Sequence, residues 1–213
     1  PTVVVVQTFI SDRVGERLNT KALAKMGKLA QNAVERKRDA DGITTLDGFS
    51  TSWPGAGATL TSGVISAAGA NIQGNVTEPA SGRIVGVLHS FQRKDLLDEL
   101  LAGIGTYPVP DGETAKAYRG GYRGKIDNIE MFIDDNISID SSSDAKGGVW
   151  AIEGLLHIQG REPWKKEREE PDIGGGGVSL WLYDEYVWGE RLAANTTSAW
   201  GWEIYSDATA PTS

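Results

Sequence analysis

The apolar residues fall into two kinds of pattern, one helical and one extended, and the change between them divides the chain. Residues 3–10, VVVVQTFI, are β-branched and aromatic, which predicts a strand. From about Glu16 to Asp39 the apolar positions Leu18, Ala22, Met26, Leu29 and Ala33 recur every three or four residues, with Lys21, Lys25, Lys28, Glu35 and Arg36 on the other side. That spacing predicts one long amphipathic helix of about six turns. Residues 41–63, DGITTLDGFSTSWPGAGATLTSG, are turn-rich and predict irregular structure. Thr61 is the expected N-cap of a second helix that carries Val64, Ile65, Ala68 and Ile72 and stops near Gly74. RIVGVLHSFQRKDLLDELLAG, residues 83–103, predicts a short buried strand and then a helix. Ser90 is its expected cap, Leu96, Leu97, Leu100 and Leu101 face inward, and Gly103 is its stop.

After a Gly-, Pro- and Tyr-rich segment at 103–124 the pattern turns extended. KIDNIEMFI, GGVWAIEGLLHI, VSLWLYDEYVWGE and SAWGWEIYSD predict four strands in an antiparallel arrangement. No internal repeat is visible. The region before 124 is mainly helical and the region after it is rich in strands.

At 213 residues the chain is long enough for a sizeable core, as one compact unit or two lobes. Cysteine is absent, which removes disulfides and thiolate ligands, and His89 and His157 are the two imidazoles. A net charge of −8 repels phosphate backbones, so direct nucleic-acid binding is not the expected main task. No apolar run approaches the roughly 20 residues of a membrane span, and PTVVVVQTFISDR has neither a basic leader nor a cleavage site. The expectation is a soluble, non-secreted protein, whose start at Pro1 without Met marks a processed, trimmed or partly represented chain. In that setting the sequons at Asn75, Asn136 and Asn195 carry no weight.

The candidate chemistry is thin. YRGGYRGK, residues 118–125, interleaves basic and aromatic residues as nucleic-acid-binding segments do, but it is one short run in an acidic chain and lacks P-loop spacing. A loop accounts for it better. DDNISIDSSSD, residues 134–144, offers oxygen ligands without the turn glycine and closing Glu of a calcium loop, so a solvated turn is the expectation. His89 beside Ser90 does not form a catalytic pair, because adjacent strand residues face opposite ways, and capping explains the serine. His157, in an apolar strand, reads as a core or interface residue. Trp150, Trp164, Trp181, Trp188, Trp200 and Trp202 lie mostly in strand patterns, where burial explains them better than a sugar-stacking platform. No catalytic residue, cofactor or metal site is predicted.

From Arg161 to Asp172 nine of twelve residues are charged in mixed signs, and four glycines at 174–177 lead into an aromatic-rich strand. This is either a solvated hairpin or a surface for another copy of the chain.

The order of these pieces resembles the HK97-type major capsid proteins of tailed bacteriophages. The resemblance is carried by ERLNTKALAKMGKLAQNAVERKRDAD, by LTSGVISAAGANIQGNVTEPASGRIVGVLHSFQRKDLLDELL, by GYRGKIDNIEMFIDDNIS, and by GGVWAIEGLLHI through ERLAANTTSAWGWEIYSDA. It covers most of the chain from about Glu16 as a profile of order and composition, without one diagnostic motif. It implies an α+β fold with a long spine helix, an axial domain and a β-rich peripheral domain. By position, 1–54 hold the N-terminal strand and spine helix of the peripheral domain, 55–130 the axial domain, and 131–213 the peripheral strands and the charged hairpin. The glycine-rich loop at 103–124 is expected at the symmetry axis of a capsomer.

The implied function is a structural one: self-assembly into the icosahedral shell around a double-stranded DNA genome, in the virion, after assembly in the bacterial host cytoplasm. The implied partners are other copies in hexamers and pentamers, with portal, scaffold or decoration proteins, and no membrane or specific nucleic-acid sequence. An encapsulin-type compartment shell shares this profile, and a Trp-rich carbohydrate-binding module is the alternative from another class. The implied subunit contacts are Arg161, Glu162, Trp164, Lys165, Lys166, Glu167, Arg168, Glu169 and Glu170 in the hairpin, with Tyr118, Arg119, Tyr122 and Arg123 in the loop. About fifteen residues precede the spine helix here, where the family carries an arm and an extended loop, and nothing in the chain identifies partners for the Lys–Asn cross-links of one branch.

Overall fold

A computed structural model of the chain describes residues 2–17, 20–75, 78–104, 125–192 and 199–211, with backbone only at 20–23 and 100–104. The chain forms two compact units, one of residues 1–42 and 157–188, the other of residues 43–156 and 189–213.

The first unit is built on a three-stranded sheet of order β1-β8-β7, with β1 at Thr2–Ser11, β7 at Leu155–Glu169 and β8 at Gly177–Glu190. β1 runs antiparallel to β8 along its whole length, from Thr2 opposite Tyr186 to Ser11 opposite Gly177. A single helical turn, α1 at Asp12–Gly15, follows β1, and the long helix α2 spans Thr20–Leu46. The expected helix over 16–39 is therefore displaced toward the C-terminus and runs through Asp41 and Gly42. A mid-helix glycine costs about 1 kcal/mol in propensity. Packing against β8 offsets it: Gly42 lies against the Trp188 indole, where an added Cβ would be 3.4 Å away, and Trp188 Nε1 donates to the Arg38 carbonyl of the same helix at 3.1 Å.

The second unit holds a six-stranded sheet of order β2-β9-β6-β3-β5-β4, with β2 at Ser52–Pro54, β3 at Ile84–Leu88, β4 at Lys125–Ile126, β5 at Ile129–Ile133, β6 at Asp144–Ala151 and β9 at Gly201–Asp207. The strands after residue 124 pair antiparallel among themselves here, as expected, β4 with β5 and β6 with β9, while the earlier strands β2 and β3 make the sheet as a whole mixed. β3 lies parallel to β5 and β2 parallel to β9, while β6 is antiparallel to both β3 and β9. KIDNIEMFI forms two short strands, because Asp127 and Asn128 both adopt positive φ (48° and 65°), the conformation of a tight hairpin turn. The segment 41–63 is less irregular than predicted, since it contains the end of α2 and all of β2.

Helices α3, Ser62–Gln73, and α4, Ser90–Ile104, complete this unit. Leu60, Ile65, Ala68 and Ile72 are fully buried with Leu88, Ile129, Val149 and Ile204 in one contiguous core. Thr61 sits at the N-cap of α3 in extended conformation, but the capping bonds come from Glu99: its carboxylate accepts from the Ser62 amide (2.6 Å) and hydroxyl (3.1 Å). At α4 the cap is His89 and not Ser90. His89 Nδ1 accepts from the Phe91 amide at 3.2 Å, and Gln92 Oε1 accepts from the His89 amide at 3.1 Å, a reciprocal capping arrangement. The Ser90 hydroxyl donates instead to Asp135. Gly103 lies within the last turn, since the helix ends at Ile104. Leu96 is buried as expected and Leu97 is half-buried; Leu100 and Leu101 fall among the side chains not described.

Among the described residues no helix is long and apolar enough to cross a membrane.

Candidate assembly surfaces

The charged segment forms the outer strand of a long hairpin, β7 to β8. Its turn explains the glycines. Gly174, Gly175 and Gly176 take positive φ (61°, 86° and 98°), where a side chain is strained, and a Cβ on Gly177 would lie 2.5 Å from the Ile10 carbonyl oxygen. The Gly176 carbonyl accepts from the Asp12 amide (3.0 Å), and the Glu170 amide donates to Gly177 oxygen (2.8 Å), so the turn is fixed to both flanking segments.

Arg161, Glu162, Lys165, Lys166, Glu167, Arg168 and Glu169 are exposed along β7, while Trp164 and Glu170 are half-buried. The ion pairs within the strand are loose: Lys165 to Glu167 at 3.1 Å, with the lysine 75% exposed, and Arg168 to Glu170 at 3.9 Å. Exposed pairs of this kind contribute at most about 1 kcal/mol each. The charges therefore do little for folding, which leaves them free for a contact outside the unit.

Next to them runs a stack of rings and cations. The Arg161 guanidinium lies 4.2 Å from the Trp164 ring centroid, Trp164 stacks on Tyr183 at 5.1 Å and 6°, and Trp181 follows at 6.5 Å and 19°. Lys166 lies over Tyr183 at 5.9 Å. The faces of Trp164 are thus engaged within the hairpin, which weighs against a sugar platform there. Trp200 is buried with Arg191 4.1 Å from its ring centroid, and Trp150, Trp181, Trp188 and Trp202 are half-buried.

A buried polar group holds α2 to β8, and the sequence reading missed it. Arg38 pairs with Asp184 at 2.5 Å, and Gln159 donates to the other Asp184 oxygen at 2.6 Å. The Tyr186 hydroxyl donates to Asp41 (2.8 Å), and Trp188 Nε1 donates to the Arg38 carbonyl (3.1 Å). Burial, reinforced by that bond to Asp41, pushes the Tyr186 phenol well above its ordinary range, so it remains a donor. The signal was present in LYDEYVW, where Asp184 and Tyr186 share one strand face. His157, expected in a core or interface, is exposed, with its ring 4.5 Å from that of Trp188 and 5.9 Å from that of Tyr186.

In the second unit Lys146 lies 2.7 Å from Asp47, 3.7 Å from Glu203 and 5.2 Å from the Tyr205 ring centroid. Burial raises the Glu203 carboxyl despite Lys146, whereas the Asp144 amide holds the Asp140 carboxyl below its ordinary value. The segment 134–144 is not merely a solvated turn, because Ile137 and Asp144 are buried and Asp144 opens β6. Among the described residues no group of His, Asp and Glu has the arrangement of a metal site. His89 does not reach Ser90 as a base: its Nδ1 is engaged by the Phe91 amide, and the Ser90 hydroxyl points to Asp135. Tyr118, Arg119, Tyr122 and Arg123 lie outside the described residues.

One unit joins the long helix to a three-stranded sheet and the other joins a mixed sheet to two helices, and the fold is the α+β HK97-like fold. The head structure of Helicobacter pylori bacteriophage KHP40 is similar at a TM-score of 0.69 and 12% identity, over 98% of this chain and 75% of that one. The capsid of Ralstonia phage GP4 is similar at 0.67 and 14% identity, over 100% and 74%. The holo-SrpI encapsulin complex from Synechococcus elongatus PCC 7942 is similar at 0.65 and 10% identity, over 100% and 76%. No family model matches the chain, and no curated protein matches it.

Proposed function

We propose that this chain is a structural shell protein, the major capsid protein of a tailed bacteriophage, which assembles with copies of itself into an icosahedral container for double-stranded DNA. One observation carries the reading: the fold of phage heads extends over 98–100% of the chain, not over one lobe of it. The absence of a predicted catalytic constellation accords with a role made of contacts. So does the charge of −8, since a wall that repels DNA allows dense packing without adhesion.

On this reading the β7–β8 hairpin meets neighbouring subunits. Alternating charges at Arg161, Glu162, Lys165, Lys166, Glu167 and Arg168 set register between identical chains without a sticky apolar surface. Each contact is weak, and a closed lattice sums many of them because every subunit contributes several interfaces at once. The segment with Tyr118, Arg119, Tyr122 and Arg123 is proposed to gather around the capsomer axis, in hexamers and pentamers. The place of action is then the virion, after assembly in the host cytoplasm, with portal, scaffold and decoration proteins as further partners.

A second reading, a compartment shell around an enzyme cargo, is favoured by the likeness to the encapsulin complex. Particles purified from the native source and treated with nuclease separate the two. Protected double-stranded DNA supports the phage capsid, a packaged enzyme supports the compartment, and a chain that never forms particles overturns both.

A further inference from the structure

The apolar periodicity that predicts α2 is not the face that α2 gives to its sheet. The sheet takes Val34, which is buried, and Arg38 and Asp41, which bond to β8. Of the positions in the predicted stripe, Leu29 is 59% exposed, Ala33 is exposed and Met26 is half-buried. With half-buried Ala30 they form, at 3.6 residues per turn, an apolar stripe about 100° wide, the width that a helix turns toward a packing partner.

On one side the stripe opens into a groove of about 400 Å³, lined by Met26 and Ala30 of α2, Val6 and Ile10 of β1, and Leu180 and Leu182 of β8. Gly27 also lines it, and a Cβ there would meet nothing within 4 Å, so the space is open as far as the helix backbone. On the other side the stripe is bordered by cations. Lys25, Lys28 and Arg36 are exposed, and among the described residues none of the three has an ion-pair partner. Residues 17–34 hold Arg17, Lys21, Lys25 and Lys28 and no carboxylate, a local charge of +4 in a chain of −8. Across the groove Lys165 and Glu167 pair with each other at 3.1 Å and add no net sign.

We propose that this face of α2 docks an amphipathic helix of another protein, whose apolar side chains enter the groove beside Met26 and cover Leu29 and Ala33, and whose flanking Asp and Glu side chains meet Lys25 and Arg36. Charge decides the occupant. A second α2 would set +4 against +4, which like charges oppose. A phosphate backbone would engage the lysines and leave Leu29 and the groove uncovered. An acidic helix satisfies both features, with attraction at the solvent side and apolar burial beside the sheet. The docking does not depend on the shell reading.

The probe is a synthetic helical peptide of about 20 residues, with leucines along one face and glutamates beside them, titrated with the full chain by fluorescence anisotropy. It should bind at least tenfold more tightly than a peptide of the same composition in scrambled order, and than one with lysine in place of glutamate. Leu29→Gln and the Lys25→Glu, Lys28→Glu double variant alter exposed side chains, and each should bind it at least tenfold more weakly with unchanged circular dichroism; the double variant should now prefer the lysine peptide. Because the chain has no cysteine, an environment-sensitive dye on Ala33→Cys gives a second readout. Its emission should shift to the blue on binding, and that of the same dye on Glu35→Cys, across the helix, should not. Equal binding of the three peptides, folded variants that bind like the parent, or dyes that respond alike overturn the proposal. Self-association of the parent that Leu29→Gln abolishes also overturns it and gives the face to a second copy. Shells formed by a protein that ignores the peptide overturn the docking and leave the shell reading standing, while peptide binding by a chain that never forms particles does the reverse.

Discussion

Arg38 of α2 and Asp184 of β8 form an ion pair at 2.5 Å in which the carboxylate is completely buried and the guanidinium is 30% exposed. A buried carboxylate deprived of its cation is an uncompensated charge, and losing one partner of such a pair costs about 3–5 kcal/mol. Arg38→Met should therefore lower stability by about 3 kcal/mol in urea unfolding. Arg38→Met with Asp184→Leu should recover most of that loss, since Gln159 keeps the carbonyls of Arg161 and Glu185 as acceptors. A double variant no better than the single one would show that the pair does not act as a unit.

Gln92 is the polar centre of the second unit. It is fully buried, donates to the Ala145 and Ile204 carbonyls and to the Ser206 hydroxyl, and accepts from the His89 amide. Gln92→Leu fills the space but strands those groups, at about 1–3 kcal/mol for each one left unsatisfied. The expected loss is about 2–4 kcal/mol by chemical denaturation, and a change under 1 kcal/mol would contradict it.

Two carboxyls should titrate with opposite signs. The Glu203 carboxyl is raised above its unfolded 4.5 by burial, so ionising it penalises the fold; the penalty is absent below that value and complete above the folded one. Asp140 is lowered from 3.8 by the Asp144 amide, so its stabilisation is present above 3.8 and fades as pH falls through the folded value. Relative to the parent, Glu203→Gln should gain stability as pH rises from about 4 to 8, and Asp140→Asn should lose its deficit on acidification. Thermal melts from about pH 4 to 8 for Glu203→Gln, and from about pH 6 down to about 2 for Asp140→Asn, check the two, and a curve parallel to the parent's over its own range would contradict that assignment.

Much of this fold was legible because its elements are long and strongly patterned. The α2 periodicity, the Val64–Ile72 face of α3 and the uncharged run of β1 each follow from sequence, since a period of 3.6 or 2 is locally decided. What was hidden is set by contacts between distant segments. Propensity ends α2 near Asp39, and the bonds from Tyr186 to Asp41 and from Trp188 to the Arg38 carbonyl hold the helix to β8 beyond that point. The sheet of the second unit takes strands from 52–54, 84–88, 125–133, 144–151 and 201–207, a parallel and antiparallel mixture that no local pattern records. His89 caps α4 because Gln92 reaches back to it, and residue preference alone favours the serine beside it. The charged hairpin was visible as composition, whereas the Arg38–Asp184 pair, 146 residues apart in the chain, needed the fold to bring it together.

The most direct test of the shell reading is negative-stain imaging of the purified protein, with the parent beside the Lys165→Glu, Lys166→Glu, Arg168→Glu triple variant. The parent should form closed particles of uniform diameter, and the variant, folded by circular dichroism, should form at least tenfold fewer. A parent that stays monomeric at every salt concentration would contradict the account, and a variant that assembles as well as the parent would reduce the charged hairpin to a solvated turn.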